Sequence, residues 1–556
     1  MRRTIRLSPS GFSFEAEDGE ILYDAARRAG IMMPGECGGG GVCGACRCMV
    51  DGREELACRF RISGDAVVEA GAAVCAPSFS LCDEPVPEDG EPFARLAPFS
   101  LSGFHGKDVI SGMRALFPRM SDPDAHFLRS LASFRSSTGA VLFAGDLPVS
   151  VHSPGDSVSV GLVDLGTTSV KCSLADLAGR RIVARGSFLN PQRRYGGDLL
   201  GRINACRFCM REMAEEVWGS VWALFDVMSK SAGGPFPEIF LFAGNTVMIS
   251  ILNEIDPDPI RRIPGAPVSL SFPPVRRDGS AVLFVPASAG FVGGDAVSGA
   301  VFSGLLEGGE PSMLIDLGTN GEVVLGCGEW SAVCSASAGP AFEGGGVKCG
   351  MPASPSAIDS FSFEGGGTSF SVIGGGRPVG ICSSGLLSLV AGLFRRGVVM
   401  RNGRFAPGAP GVSGGRLYVS EGVFVDEDDL ANLLRAKAAV FAAAETLLDM
   451  FGVESWDLSR VFVAGSLAEG CRVGDLMEIG LFPPVDSERV SFIGNSSLGG
   501  CERMIFSDRL WREAARFSEE SVFADLASDP AFMDRWTAAL FIPHTDINMF
   551  LERCEK

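Results

Sequence analysis

Histidine and tyrosine are scarce in this chain, with 4 and 3 copies in 556 residues. So few imidazoles nearly exclude a histidine-built metal site. Long apolar runs are missing too. "LLSLVAGLF" (386–394) and "AAVFAAAETLLDMF" (438–451) fall short of the roughly 18 residues a membrane span needs. The opening "MRRTIRLSPSGFSF" has no apolar core of the kind an export signal carries. Cations are outnumbered, 48 Lys and Arg against 67 Asp and Glu, for a formal charge of −19. That balance argues against general nucleic-acid binding and against docking on anionic lipid. It leaves room for a partner with a basic patch.

Glycine (72) and cysteine (17) are abundant instead. An odd cysteine count in a large chain expected to be cytoplasmic disfavours a disulfide framework. "GECGGGGVCGACRC" (35–48) concentrates four cysteines and six glycines. The spacing is Cys37-x5-Cys43-x2-Cys46, then eleven residues to Cys58. Three thiolates from one glycine-rich loop and a fourth from a later segment is the plant-type [2Fe–2S] arrangement, within one residue in the first gap. Glycines let such a loop wrap a compact cluster and turn N–H groups toward its sulfides. A zinc site competes, but zinc sites usually present two separated Cys-x2-Cys pairs, and there is one close pair here. Cys48 is expected to be a bystander, with replacement of Cys46 or Cys58 as ligand the alternative. Cys206-x2-Cys209 lacks a second pair, Cys75 and Cys82 are expected as free thiols, and Cys334, Cys349 and Cys382 as small buried residues.

The length predicts two to four domains. Residues 1–76 read as a β-grasp-like unit: a hairpin in "TIRLSPSGFSFEAEDG", a helix in "ILYDAARRAGI", the cysteine loop, and a last strand in "DAVVEA" (65–70). Residues 77–98, with five prolines and five acids, read as an extended solvated linker. Residues 99–157 read as a small mixed domain with a helix in "DAHFLRSLASF" and a hairpin in "AVLFAGDLPVSVHSPGD". Residues 158–550 carry an internal echo. "VGLVDLGTTSVKCSLAD" (160–176) resembles "MLIDLGTNGEVVLGCGE" (313–329), 152 residues later. That distance fits two related halves of one α/β domain rather than a solenoid.

A strand ending in Asp-x-Gly-Thr sets a carboxylate beside a tight turn. The carboxylate can hold Mg²⁺ through water, and the turn can supply N–H and hydroxyl groups to a phosphate. Two copies resemble the phosphate loops of the acetate kinase, sugar kinase and actin superfamily, whose ribonuclease-H-like halves close around ATP. "PASAGFVGGDAVSGA" (286–300), with Asp295 opening a helix, is similar to that fold's connecting element. "VFVAGSLAEG" (461–470) is similar to its adenosine motif, and "GICSSGLLSLVAGLF" (380–394) reads as a helix lining the same cleft.

The order of these pieces resembles one family, the ATP-dependent reductive activators of corrinoid proteins. The resemblance runs through most of 158–550, including "NPQRRYGGDLLGRI" (190–203), "CSASAGPAFEGGGVKCGM" (334–351) and "IGNSSLGGC" (493–501), and thins over 77–157. It implies a multidomain α+β and α/β chain: a ferredoxin-like [2Fe–2S] domain, a linker, a small middle domain and a two-lobed ATPase. It implies that Cys37, Cys43, Cys46 and Cys58 ligate the cluster. Asp164 and Asp316 would hold Mg²⁺ and water, Gly166, Thr167, Thr168, Gly318, Thr319 and Asn320 would line the phosphates, and Gly465 the adenosine. Asp295 would orient water; Lys171 and Glu343 are further cleft candidates. The implied activity is electron transfer from the cluster to the Co(II) corrinoid of a partner protein, restoring Co(I), with electrons from a low-potential donor. A cytoplasmic homodimer is the implied state, and the linker would let the cluster domain swing. The rivals are a small-molecule kinase with a redox-sensing domain, an activator of a radical dehydratase, and an electron carrier with a degenerate kinase fold. Four cysteines within one loop region disfavour the dehydratase activator, whose cluster bridges two subunits. Two intact Asp-Leu-Gly-Thr loops disfavour the degenerate carrier.

Overall fold

The computed structural model describes residues 2–8, 13–29, 31, 46–70, 77–102, 106, 108–262, 266–318, 320–363, 367–465 and 470–551. In the N-terminal unit, alternation in Arg2–Ser8 sends Ile5 and Leu7 to the core. This strand pairs antiparallel with Ser13–Glu17 and parallel with Ala66–Ala70. Helix Leu22–Arg28 closes the face with Leu22, Ala25 and Ala26. The sheet is completed by a hairpin absent from the sequence reading, Arg47–Val50 and Arg53–Leu56. Its two-residue turn is Asp51–Gly52, with φ of 48° and 78°, the left-handed pair that an Asp-Gly hairpin favours.

Residues 77–98 are not a solvated linker. Ser78–Pro85 is the edge strand of a seven-stranded sheet, antiparallel to Arg181–Leu189. Beyond it, Asp89 accepts from Arg509 (2.8 Å) and Ser507 (3.0 Å), Ala94 N–H donates to Ile505 O (2.9 Å), and Phe93 stacks on Trp511. An edge strand tolerates proline because one side of its ladder is unpaired. Four of the five acids that suggested solvation, Asp83, Glu84, Asp89 and Glu91, are paired with arginines. No swinging tether can therefore be drawn through these residues.

Strands Ala94–Ser100, Thr138–Ala144 and Leu147–His152 form the middle unit's sheet, covered by helices Val109–Leu116 and Ala125–Ser133. Asp108 and Asp124 cap the two helices. Phe99, Met113, Phe127 and Phe143 fill the core. This unit is pinned to the next by Asp124–Arg276 (2.7 Å) and by His152, whose Nε2 lies 3.3 Å from Glu238 and 2.8 Å from Ser150 Oγ. The hydrogen bond with Glu238 raises His152 against the effect of burial. Burial of Glu238 is outweighed by its bonds from His152 and Ser150, so its pKa falls. The histidine's contribution is therefore complete below its unfolded value of 6.5 and lost as pH rises through the raised folded value. The glutamate's is present above 4.5 and lost as pH falls. Melting scans from pH 5 to 9 should show wild type losing its advantage over His152→Gln at the alkaline end; a gap that does not change with pH contradicts the pairing.

The rest is built twice around the Asp-Leu-Gly-Thr hairpins. In the first lobe Ser159–Leu165 pairs antiparallel with Ser169–Asp176 and parallel with Ile239–Gly244. In the second, Ser312–Leu317 pairs antiparallel with Gly321–Gly326 and parallel with Arg460–Ala464. Both central strands are almost wholly buried, as continuous apolar runs with parallel neighbours are. Helices Gly294–Ser303 and Ser496–Met504 pack together between the lobes. A Cβ on Gly500 would stand 2.2 Å from Ser298 O, so the helices meet at backbone distance. One core joins Val160 and Leu162 of the first lobe to Leu314, Val324 and Phe462 of the second. Helix Leu199–Ala232, interrupted at Cys209 (φ −139°, ψ 23°), lines the first lobe, and its Val227 packs against the N-terminal core. Among the described residues no helix is long and apolar enough to cross a membrane.

Candidate functional site

The two hairpins bring the sequence-predicted residues to one open cleft. Asp164, Gly166, Thr167, Thr168, Lys171, Asp295, Asp316, Gly318, Asn320 and Gly465 all line it. Thr319, residues 466–469 of the adenosine-like turn and the Glu343 side chain lie outside the described residues. Gly465 has a φ of 102°, and a Cβ there would stand 2.4 Å from Leu317 O. Only glycine fits between the end of Arg460–Ala464 and the second hairpin.

The two halves differ in one decisive way. Asp164 faces Lys171 across its hairpin, whereas Asp316 faces Glu322. Leu165 pairs with Val170 in the first turn and Leu317 with Gly321 in the second, so the second turn is one residue shorter. Because strand side chains alternate, that single residue changes which group stands opposite the aspartate. Asp164 is further neutralised by the start of helix Ser496–Met504. Asn495 Nδ2 donates to its Oδ2 (2.9 Å) and Ser497 Oγ to its Oδ1 (2.8 Å). On the other side Asp295, in the first turn of helix Gly294–Ser303, joins Asp316 and Glu322.

The electrostatics follow. Burial raises the Asp164 carboxyl, opposed by Lys171, Asn495 and Ser497. Burial pushes Asp295 up to about 7, opposed by the Ala296 N–H (2.9 Å) and reinforced by Asp164 and Asp316. Glu322 is driven well above the usual carboxylate range by burial and then by Asp295 and Asp316. Among the described residues no three His, Cys, Asp or Glu side chains converge closely enough to grip a metal directly. A divalent cation here would be held mainly through phosphate and water. Sequence reasoning missed Glu322, Asn245, Asn495 and Ser497. The last two reach Asp164 from more than 300 residues away.

In the N-terminal unit the Cys46 and Cys58 thiols lie 3.2 Å apart and are buried. Cys37 and Cys43 lie outside the described residues. Cys48 sits on strand Arg47–Val50, its sulfur 3.9 Å from Glu55 O. Burial, with Cys46 and Glu55, pushes its thiol up to about 11. Two converged thiols at the base of the loop suit soft-metal ligation, and Cys48 is a core residue beside them. Cys48→Ala is expected to leave iron content unchanged and to cost about 1 kcal/mol of stability; iron assay with thermal melting checks both. Cys206, Cys334 and Cys382 are buried, Cys349 is half-buried, Cys82 is half-buried on the edge strand, and Cys75 lies outside the described residues.

Known proteins fall into the same pattern. Residues 5–76 match the 2Fe-2S iron-sulfur cluster binding domain, 160–307 the RACo middle region, and 310–553 the C-terminal domain of RACo, the ASKHA domain. The chain is 25% identical over 576 aligned residues to the corrinoid activation enzyme RamQ of Eubacterium limosum, covering 93% of this chain and 95% of the relative. It is 28% identical to the [Co(II) methylated amine-specific corrinoid protein] reductase of Methanosarcina barkeri, covering 40% of this chain and 44% of the relative. A solved reductive activator for corrinoid, iron-sulfur protein superposes with a TM-score of 0.75 at 28% identity, over 99% of this chain and all of the other. An iron–sulfur unit, a middle unit and a two-lobed nucleotide-type cleft, in this order along one chain, place it in the family of ATP-dependent reductive activators of corrinoid proteins.

Proposed function

We propose that this protein returns a partner's corrinoid from Co(II) to Co(I), passing one electron from a [2Fe–2S] cluster in its N-terminal unit at the expense of ATP. The observation that carries the reading is the pairing, in one chain, of converged cysteine thiols with an acid-lined cleft on two Asp-Leu-Gly-Thr hairpins. A plant-type cluster works near about −400 mV. Every 100 mV uphill costs about 2.3 kcal/mol per electron, a gap that nucleotide binding or hydrolysis can cover. Cys37, Cys43, Cys46 and Cys58 form the ligand set. The electrons come from a low-potential donor, and the protein works in the cytoplasm.

The asymmetry of the cleft supports a division of roles. The Asp164 side carries Lys171, Asn495 and Ser497 and suits phosphate oxygens. The Asp316 side, with Asp295 and Glu322, suits Mg²⁺, which supplies charge neutralisation at the phosphates. Asp295, held near neutrality in its pKa, accepts a proton from water best at the pH where it works. Gly166, Thr167, Thr168, Gly318, Thr319 and Asn320 line the phosphates, and Gly465 flanks the adenosine. ATP consumption should rise on adding a Co(II) corrinoid protein and not on adding sugars or carboxylic acids. Stimulation by a small acceptor alone would support the redox-sensing kinase instead.

A further inference from the structure

Every carbonyl of the first phosphate loop is held by one neighbouring segment. Asn190 Nδ2 donates to Gly166 O (2.8 Å), and the Asn190 N–H donates to Thr168 O (2.9 Å). Between them, Arg202 Nη2 donates to Thr167 O. The segment is itself rigidly tied. Asn190 Oδ1 accepts from Gln192 N–H (2.9 Å), Gln192 Nε2 donates to Met213 O (3.1 Å), and Arg202 Nε donates to Gly196 O (3.2 Å). Asn190, Gln192 and Arg202 are completely buried.

A trans peptide points its N–H opposite to its carbonyl. Drawing the carbonyls of 166, 167 and 168 toward this segment therefore turns the N–H groups of Thr167, Thr168 and Ser169 the other way, on the loop that lines the cleft. Successive N–H groups aimed into one concavity make an anion nest. The second loop is built differently, since its Gly318 N–H is used within the turn by Asn320 O (3.1 Å). Arg202 also places a buried positive charge behind the nest. In water-poor surroundings that charge acts at longer range than an exposed one.

We infer that Asn190 and Arg202 are positioning residues for the nucleotide's phosphates. They touch no reacting atom and act through the backbone of Gly166–Thr168. The inference rests on the ATP reading above and makes a demand of its own. Disturbing the pair should weaken ligands that carry phosphates and spare those that do not.

The test is equilibrium binding of Mg-ATP and of adenosine to the full chain, without any corrinoid partner. The variants are Arg202→Met, Arg202→Lys and the nearly isosteric Asn190→Asp, which keeps the bond from Gln192 but cannot donate to Gly166. Melting without nucleotide and the visible iron–sulfur spectrum report folding. Arg202→Met and Asn190→Asp should weaken Mg-ATP by about 10- to 100-fold, as loss of supporting-shell residues does elsewhere, and leave adenosine within about threefold. Arg202→Lys should recover most of the loss. Equal weakening of both ligands, or unchanged Mg-ATP binding in folded Asn190→Asp, would overturn the assignment. Wild-type protein that binds no Mg-ATP would overturn the ATP reading itself.

Discussion

Asp295→Asn is expected to lower kcat for partner-stimulated ATP hydrolysis by about 100- to 10,000-fold, the range for loss of a general base. Mg-ATP affinity should change far less than kcat. Asp295 starts a helix at the junction of the lobes, accepts one backbone N–H, and faces Asp164 and Asp316. Burial and those two neighbours keep its carboxyl from ionising as readily as a surface aspartate. Asparagine preserves the shape and removes the basic oxygen. Asp316→Asn differs in kind. It takes a charge from the side where Asp295 and Glu322 already repel one another, so its main effect should be a raised Mg²⁺ requirement. Steady-state ATPase assays across Mg²⁺ concentration separate the two variants. An Asp295→Asn enzyme with wild-type kcat would remove Asp295 from the chemistry.

Cys58→Ser should abolish Co(I) formation and empty or alter the cluster while leaving the ATP cleft intact. Cys58 and Cys46 present their sulfurs 3.2 Å apart in the floor of the N-terminal unit. A hydroxyl is a harder and far less acidic donor than a thiol, so it replaces thiolate poorly on iron. Iron and sulfide per chain should fall well below two each. Mg-ATP affinity should stay within about twofold, because Cys58 belongs to the N-terminal core and none of the cleft-lining residues does. Retained two-iron content together with full Co(II) reduction would mean that Cys58 is not a ligand and that Cys48 must be reconsidered. Loss of ATP binding as well would mean that the two units fold as one.

Much of this was legible in the residues. The hairpins were visible because each is an apolar strand followed by Asp-Leu-Gly-Thr, a pattern that survives any tertiary context. Glu322 was not, because its place opposite Asp316 depends on a turn one residue shorter than its counterpart. Register is a property of paired strands, and the two motifs look alike until the pairing is known. Asn495 and Ser497 lie in the family-like segment 493–501, which by itself gives them no role. Their bonds to Asp164 close a gap of over 300 residues that no local pattern encodes. In 77–98, counting prolines and acids concealed the strand Ser78–Pro85, whose Phe79 packs against the first-lobe core. Composition described the solubility of the segment and not its partners. The Asp51–Gly52 turn, by contrast, is a purely local signal, an Asp-Gly pair whose residues both take positive φ.

The most direct test of the account uses protein purified without oxygen, reduced with dithionite, and mixed with a Co(II) corrinoid protein while the visible spectrum is followed. The Co(I) absorption should grow with Mg-ATP present and stay absent without it. An intact two-iron cluster that gives the same Co(I) signal with and without Mg-ATP, or none with either, would contradict it.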